Sequence, residues 1–346
     1  MSIYSEYKPR KTRNFLDNAN FCIQQRGAGQ FFNSGITADR WGFYYDLSSG
    51  GSAAVTLHYN IDLPVQSANS IFKVTALSQK TSYPASEYVV VQQSIEGYNF
   101  LGLKRKMATL SFWVKATVPG TYSIAFRNST YSASYVKEYT INASDTWEYK
   151  RINIDFDYGS VGDGGWHQTN GPGVHFCFVL ACSSSRQTST IGQWISGNYI
   201  ASTNQAVYSQ SINNSFILSQ VQLEQGIEAT PFELLDIFTE YNRALRYYEY
   251  KYIICPASCV TNGTCVTYFN IEFAEKRVKP ISITVDNPRV YLSWGVAWRN
   301  ATSILYNSNA AYMGRALMLF YDTANSDYTA GWTNLIDGGF SIKSDL

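Results

Sequence analysis

The feature that most constrains this chain is a period of two in its apolar residues, repeated from about residue 20 to residue 232. In Leu110 to Ala116, Leu110, Phe112, Val114 and Ala116 fall on one face while Ser111, Trp113 and Lys115 fall on the other, as in a half-buried strand. Tyr122, Ile124 and Phe126 repeat the pattern, as do Ile152, Ile154 and Phe156, and then Val174, Phe176, Phe178 and Leu180. Between these runs stand Pro119-Gly120, Gly162 to Gly165 and Asn170 to Gly173, which supply the positive φ angles and breaks that hairpins require. The expected fold is therefore all-β, an antiparallel jelly-roll-like β-sandwich.

One segment changes period. Between Asp236 and Tyr250, Ile237, Tyr241, Leu245 and Tyr248 recur at spacings of four, four and three, one face of a helix. Pro231 discourages an earlier start, and Asp236 or Thr239 can serve as N-cap. A helix of this length is marginal alone in water, so the stripe must dock, either on adjacent sheets or on copies of itself. Alternation then returns in Ile281, Ile283 and Val285, in Val290, Leu292 and Trp294, and in Ala316, Met318 and Phe320, with Asp286 to Pro288 read as a turn. The expected organisation is a basic arm over residues 1–19, the sandwich over 20–232, a connecting helix over 233–251 and a smaller C-terminal β-domain over 252–346. That last domain has limited capacity to bury a core by itself, so partner chains would help it.

Composition narrows the function. Only 15% of residues are charged and the net charge is +1, so there is no global field to collect phosphate and nucleic acid is not an expected partner. With 45% hydrophobic and 16% aromatic residues, disorder is excluded. No apolar stretch approaches the ~18 residues of a membrane span, so no membrane insertion is expected. Without a secretory signal the six cysteines read as thiols of a chain made in a reducing cytosol. Cys255, Cys259 and Cys265 lack a C-x2-C pair, and the reading as free or buried thiols outweighs a zinc site. The arm carries Lys8, Arg10, Lys11 and Arg13 against Glu6; it is either a solvated basic terminus or a tether to an acidic partner.

Catalytic patterns are weak. Asp155 and Asp157 share an outward strand face with no cause for a raised pKa. As a calcium loop, Asp155, Asp157 and Asp163 lack the central Gly and distal Glu. No nucleophile elbow, triad context or phosphate loop is present, so no catalytic residue, metal or cofactor is expected. Aromatic residues are the better lead, because an exposed ring covers the C–H face of a sugar while amides and hydroxyls satisfy its hydroxyls. Tyr158 and Trp166, in a Gly-rich polar loop, and Trp194 are the ligand-contact candidates; packing is the competing reading for each.

Several stretches resemble a family of β-rich proteins of tailed-bacteriophage particles, tail-fibre and head-fibre proteins with a carbohydrate-binding-like module. The landmarks are Asn14 to Gly27 (NFLDNANFCIQQRG) with Thr37 to Trp41 (TADRW), Leu110 to Ala116 (LSFWVKA), Asp145 to Tyr149 (DTWEY), Val221 to Glu233 (VQLEQGIEATPFE) and Glu240 to Tyr248 (EYNRALRYY). Ala244 and Leu245 stand where the family has Cys and Gln, so no role is carried to them. Trp113 and Trp147 occupy landmark positions and are read as packing residues. The resemblance implies a non-enzymatic virion structural protein, assembled in the host cytoplasm, a fibre or appendage contributing to attachment to host-surface polysaccharide. The alternatives are a capsid or tail decoration protein without a ligand and, ranked last, a glycan depolymerase. Aromatic enrichment with few charges also suits chain–chain interfaces. The expected assembly is a homotrimer with Tyr241, Leu245 and Tyr248 at the interface, contacting other virion proteins through Lys8, Arg10, Lys11 and Arg13.

Overall fold

The computed structural model describes residues 14–27, 29–261, 264–274, 276, 282–292, 297–300, 304–306, 315–322 and 333–343. The basic arm residues Lys8, Arg10, Lys11 and Arg13 lie outside the described residues. Two compact units divide between Glu240 and Tyr241.

The first unit runs through β1 (Gln30–Phe31), β2 (Gly35–Ala38), β3 (Trp41–Asp46), β4 (Ala53–Tyr59), β5 (Ser70–Ala76) and β6 (Tyr88–Glu96) to the short helix α1 (Gly97–Phe100). There follow β7 (Met107–Ala116), β8 (Gly120–Asn128), β9 (Ala133–Ile141), β10 (Glu148–Asp155) and β11 (Pro172–Cys182). The unit's strands end with β12 (Gln187–Thr188), β13 (Trp194–Ser196), β14 (Ala201–Ser202) and β15 (Ser215–Gln225). One sheet has the order β1-β4-β5-β15-β7-β10 and the other β13-β9-β8-β11-β6-β3-β2. The alternating rows read from the sequence are their inner faces. Phe112 of β7 meets Phe178 of β11 at 4.8 Å and Tyr139 of β9 at 5.1 Å between ring centroids, and Tyr122 of β8 meets Phe216 of β15 at 5.6 Å. The fold is an all-β sandwich, as the periodicity predicts.

Two details differ from the sequence reading. Pro119-Gly120 does not close a hairpin: it carries the chain from β7 in one sheet to β8 in the other, with Gly120 at φ +142°. The sandwich also begins before residue 20, because Phe15, Leu16 and Ala19 are core residues. Their placement is fixed by the landmark side chains. Asn14 Nδ2 donates to the Val221 carbonyl at 2.9 Å, Leu223 N donates to Asn14 Oδ1 at 3.0 Å, and Asn14 N donates to Glu233 Oε2 at 2.8 Å. Glu233 N donates to Gln222 Oε1 at 2.7 Å and Thr230 N to Glu224 Oε1 at 2.8 Å. Arg40 pairs with Asp17 at 3.1 Å, Trp41 Nε1 donates to the Asp17 carbonyl, and Asn18 N donates to Glu240 Oε2 at 2.9 Å. The shared motif residues thus form a buried polar scaffold in which nearly every donor is matched, the condition under which such networks specify one arrangement.

Helix α2 (Ile237–Leu245) starts where Asp236 Oδ1 accepts from Thr239 N at 3.0 Å, an N-cap as anticipated. It stops at Leu245, short of the expected end. Tyr248 opens the next strand, is buried, and shares a 3.0 Å hydrogen bond with Ser341. It is therefore not an interface residue of a helical stripe; Leu245 is half-buried and Tyr241 is 38% exposed.

The second unit holds β16 (Tyr248–Thr261), β17 (Thr264–Glu272), β18 (Ser282–Leu292), β19 (Ala297–Asn300), β20 (Ile304–Tyr306), β21 (Arg315–Asp322) and β22 (Thr333–Lys343). Among the described residues they form one antiparallel sheet, ordered β19-β18-β22-β16-β17-β21-β20. Asp286 to Pro288 is not a turn: it lies inside β18 as a register shift against β22. A bulge leaves the extra residues out of the ladder, so a proline is tolerated there. Cys259 and Cys265 are register partners across β16 and β17; the side chains of Cys255, Cys259 and Cys265 are outside the described residues.

Candidate functional site

The ligand-contact residues expected from the sequence are placed in the core. Tyr158 is fully buried, Trp166 is 8% exposed and Trp194 4%. Trp166 stacks on Tyr158 at 4.0 Å and on Phe100 at 5.4 Å, and meets Trp194 edge-on at 5.1 Å. Both indole N–H groups are satisfied internally, Trp166 Nε1 by the Gly162 carbonyl at 3.2 Å and Trp194 Nε1 by the Asp155 carbonyl at 2.8 Å. Burial pushes the Tyr158 phenol up to about 12. The Gly-rich segment that reads as a solvent loop instead folds back: Gly162 and Gly165 adopt φ +76° and +75°, and a Cβ on Gly165 would strike Thr130 and Asn128. These three aromatics are packing residues, with no ring face free for a sugar.

The carboxylates of the same segment have a local role. Asp155 Oδ1 accepts from Asp157 N at 2.8 Å and Asp157 Oδ1 accepts from Gly159 N at 3.2 Å, successive Asx turns that steer the chain off β10.

A different set of aromatics remains accessible, on the outer face of the seven-stranded sheet. The floor of this face is a register row in which Gly42 stands opposite Gln92, Gln92 opposite Cys177, and Cys177 opposite Ala125. Tyr44 lies flat over Gly42, where any Cβ would collide with its ring, and Tyr199 lies likewise against Gly197. Both tyrosines, with Tyr88, are half-buried against this floor. Tyr131, 37% exposed, stacks on His175 at 4.8 Å. It occupies φ +56° in the β8–β9 turn, a conformation costly for a large residue. Asn128 imposes it, its Oδ1 accepting from Ser132 N at 2.9 Å and Ala133 N at 3.1 Å.

Two guanidinium groups complete the face. Arg186 sits 4.7 Å from the Tyr88 ring and Arg127 4.6 Å from Tyr131, distances at which a cation is held by the ring quadrupole. Arg127 is only 7% exposed and has no carboxylate partner among the described residues. It donates to Gln92 Oε1 at 2.7 Å and Asn198 Oδ1 at 3.1 Å, while its Nε has no partner. His175 shares a 2.7 Å hydrogen bond with Ser94. Its own burial, then the Arg127 charge, hold its pKa down to about 3, so it is neutral near pH 7. The result is a shallow face of tyrosine rings with amide, hydroxyl and guanidinium groups between them. Flat apolar surfaces beside convergent polar groups suit a ligand that has both C–H faces and hydroxyls.

The sequence reading missed this face, although a signal for it is present. Gly42-Phe43-Tyr44 and Gly197-Asn198-Tyr199 each put a glycine and a tyrosine two residues apart; in the strand pair this is the same side of an extended chain, and in both the missing Cβ lets the ring lie on the backbone.

No protein-family model and no curated protein matches the sequence. Solved structures with a similar chain trace include TmCBM61 in complex with β-1,4-galactotriose, at 13% identity and a TM-score of 0.31, covering 62% of this chain and 100% of that one. A family 11 carbohydrate-binding module from Clostridium thermocellum, in complex with a mixed-linked tetrasaccharide, shows 14% identity and a TM-score of 0.29 over 59% of this chain and 99% of that one. The tandem CBM22 domain from Paenibacillus barcinonensis shows 9% identity and a TM-score of 0.29, over 98% and 93% of the two chains.

Proposed function

We propose that this chain is a non-enzymatic glycan-binding protein of a tailed-phage particle, a fibre or similar appendage that contributes to attachment to host-surface polysaccharide. The observation that carries the binding role is the tyrosine face of the seven-stranded sheet, where Tyr44 and Tyr199 lie flat on glycines and Tyr131 is held out at a positive φ. The sequence landmarks support the virion context. A non-catalytic role is supported by Asp155 and Asp157, whose carboxylates are engaged in turn hydrogen bonds. An array of bacterial surface polysaccharides tests the binding role. Signal on at least one of them, reduced tenfold or more by Tyr44→Ala and by Tyr131→Ala, is expected; an empty array overturns it. Immunogold labelling of intact particles tests the virion placement.

A second reading, a decoration protein that binds other chains and no glycan, is favoured by one observation. Leu234, Ile237 and Phe238 are 56%, 53% and 76% exposed, apolar surface of the kind that marks protein contacts. A homotrimer would use them with the expected Tyr241 and Leu245, while Tyr248 is buried within the chain. Light scattering that shows a monomer at micromolar concentration removes the trimer.

A further inference from the structure

The side of the sandwich carries a feature that the tyrosine face does not explain. Strand β10 is the last strand of its sheet, and β9 pairs with β13 only through Ala133, Ser134 and Tyr135. Past Val136, β9 and β10 therefore face each other as two open edges, whose backbone N–H and C=O groups lack ladder partners on that side. Between these edges lies a groove of about 800 Å³, with Ile227, Glu228 and Ala229 also in its lining. That volume is within the range of small-molecule sites.

Its lining is polar and of both signs. Lys137 and Tyr139 come from the inward row of β9, Lys150 from the inward row of β10, and Arg151 and Asn153 from the outward row of β10. Lys150 is bound to Glu148 at 2.5 Å, but Lys137 and Arg151 make no ion pair among the described residues. Glu138, bonded by Asn204 at 3.0 Å, and exposed Glu228 contribute opposite charge. The Tyr139 hydroxyl is buried without a hydrogen-bond partner, although the ring around it packs on Phe112 and Tyr122. Beyond the groove the outward row of β10 continues to Tyr149, 43% exposed and 5.3 Å from its cross-strand partner Trp113.

We infer that this groove is a second saccharide-binding site, taking a neutral oligosaccharide along β10 with its end against the Trp113–Tyr149 pair. The walls offer hydroxyl, amide and charged groups of both signs, able to donate to and accept from the hydroxyls of a polyol. With Glu148 on Lys150, the three cations Lys137, Lys150 and Arg151 are matched in number by Glu138, Glu148 and Glu228, so the groove has no net charge to collect a polyanion, and an apolar peptide would leave the charged walls unmatched. The ligand class rests on the glycan-binding reading above; the site itself rests on the groove. Two sites on different faces of one module would raise avidity for a polymer without tightening either one.

The experiment compares four proteins on one array of neutral and acidic oligosaccharides: wild type, Tyr44→Ala/Tyr131→Ala, Arg151→Ala/Asn153→Ala, and the two pairs combined. Arg151 and Asn153 are exposed, so melting curves should coincide; Lys137→Gln is an additional groove variant. The expected result is residual binding of neutral oligosaccharides by the tyrosine-face variant, a loss of tenfold or more in the groove variants, and no signal in the combination. Three results overturn the groove while leaving the tyrosine face standing: abolition of all binding by the tyrosine pair alone, no effect of either groove variant, or residual binding confined to acidic glycans. An array empty for wild type overturns both.

Discussion

Two aromatic groups of similar chemistry have opposite fates in this sandwich. Tyr158, Trp166 and Trp194 stand in a segment rich in glycine and polar residues, yet close over one another and Phe100 with their N–H groups satisfied inside the chain. Tyr44 and Tyr88 come from strands, Tyr131 from a tight turn and Tyr199 from the segment between β13 and β14, yet they keep ring surface outside. Whether an aromatic is available to a ligand is decided by what lies beneath it. Glycines around Trp166 let the loop collapse, whereas Gly42 lets the Tyr44 ring rest on a strand of the sheet and Gly197 lets Tyr199 lie against the chain just past β13.

The largest expected effect is on the buried group. Trp166→Ala should cost about 3–5 kcal/mol by loss of a packed indole, read as a fall in denaturant midpoint, while the refolded protein binds as before. Equal loss of binding per folded molecule would break the contrast. Next in size is Gly42→Ala. The added methyl displaces the Tyr44 ring or strains the strand, an overpacking effect of about 1–3 kcal/mol, together with weakened binding; binding unchanged would show that the flat ring is not part of the site.

The pH dependence of stability sharpens the contrast from the electrostatic side. His175 has a folded pKa of about 3 against an ordinary 6.5, so below 6.5 the unfolded chain takes up a proton that the folded chain refuses. Stability is fully present above about pH 6.5 and declines as pH falls toward 3. His175→Gln should flatten that limb of the melting-temperature profile; an unchanged slope would remove His175 as its source. The smallest effect is that of Tyr131→Ala, which touches an exposed ring and should shift stability by less than ~1 kcal/mol while lowering affinity tenfold.

What was legible in the sequence is the part that depends on neighbours along the chain. Alternation located the strands through residues such as Leu110, Phe112 and Val114, and the cap at Asp236 marked the start of α2. What was not legible depends on distant partners. Pro119-Gly120 carries the same turn signal whether the next strand pairs with β7 or crosses to the other sheet. Tyr241, Leu245 and Tyr248 fit a helical spacing, but Tyr248, Tyr250 and Tyr252 also alternate, and pairing of β16 with β22 decides for the strand. Trp166 looks exposed until the left-handed glycines fold it inward. The landmark residues Asn14, Gln222 and Glu233 could be recognised as a signature, but their role as a scaffold joining the chain's first described residues to β15 required three dimensions.

The most direct measurement is amide hydrogen exchange with and without the oligosaccharide that gives the strongest array signal. The tyrosine-face account predicts added protection in residues 42–46, 88–94 and 128–132, with residues 158–166 unchanged. Protection confined to residues 158–166 would return the site to Tyr158 and Trp166 and contradict it.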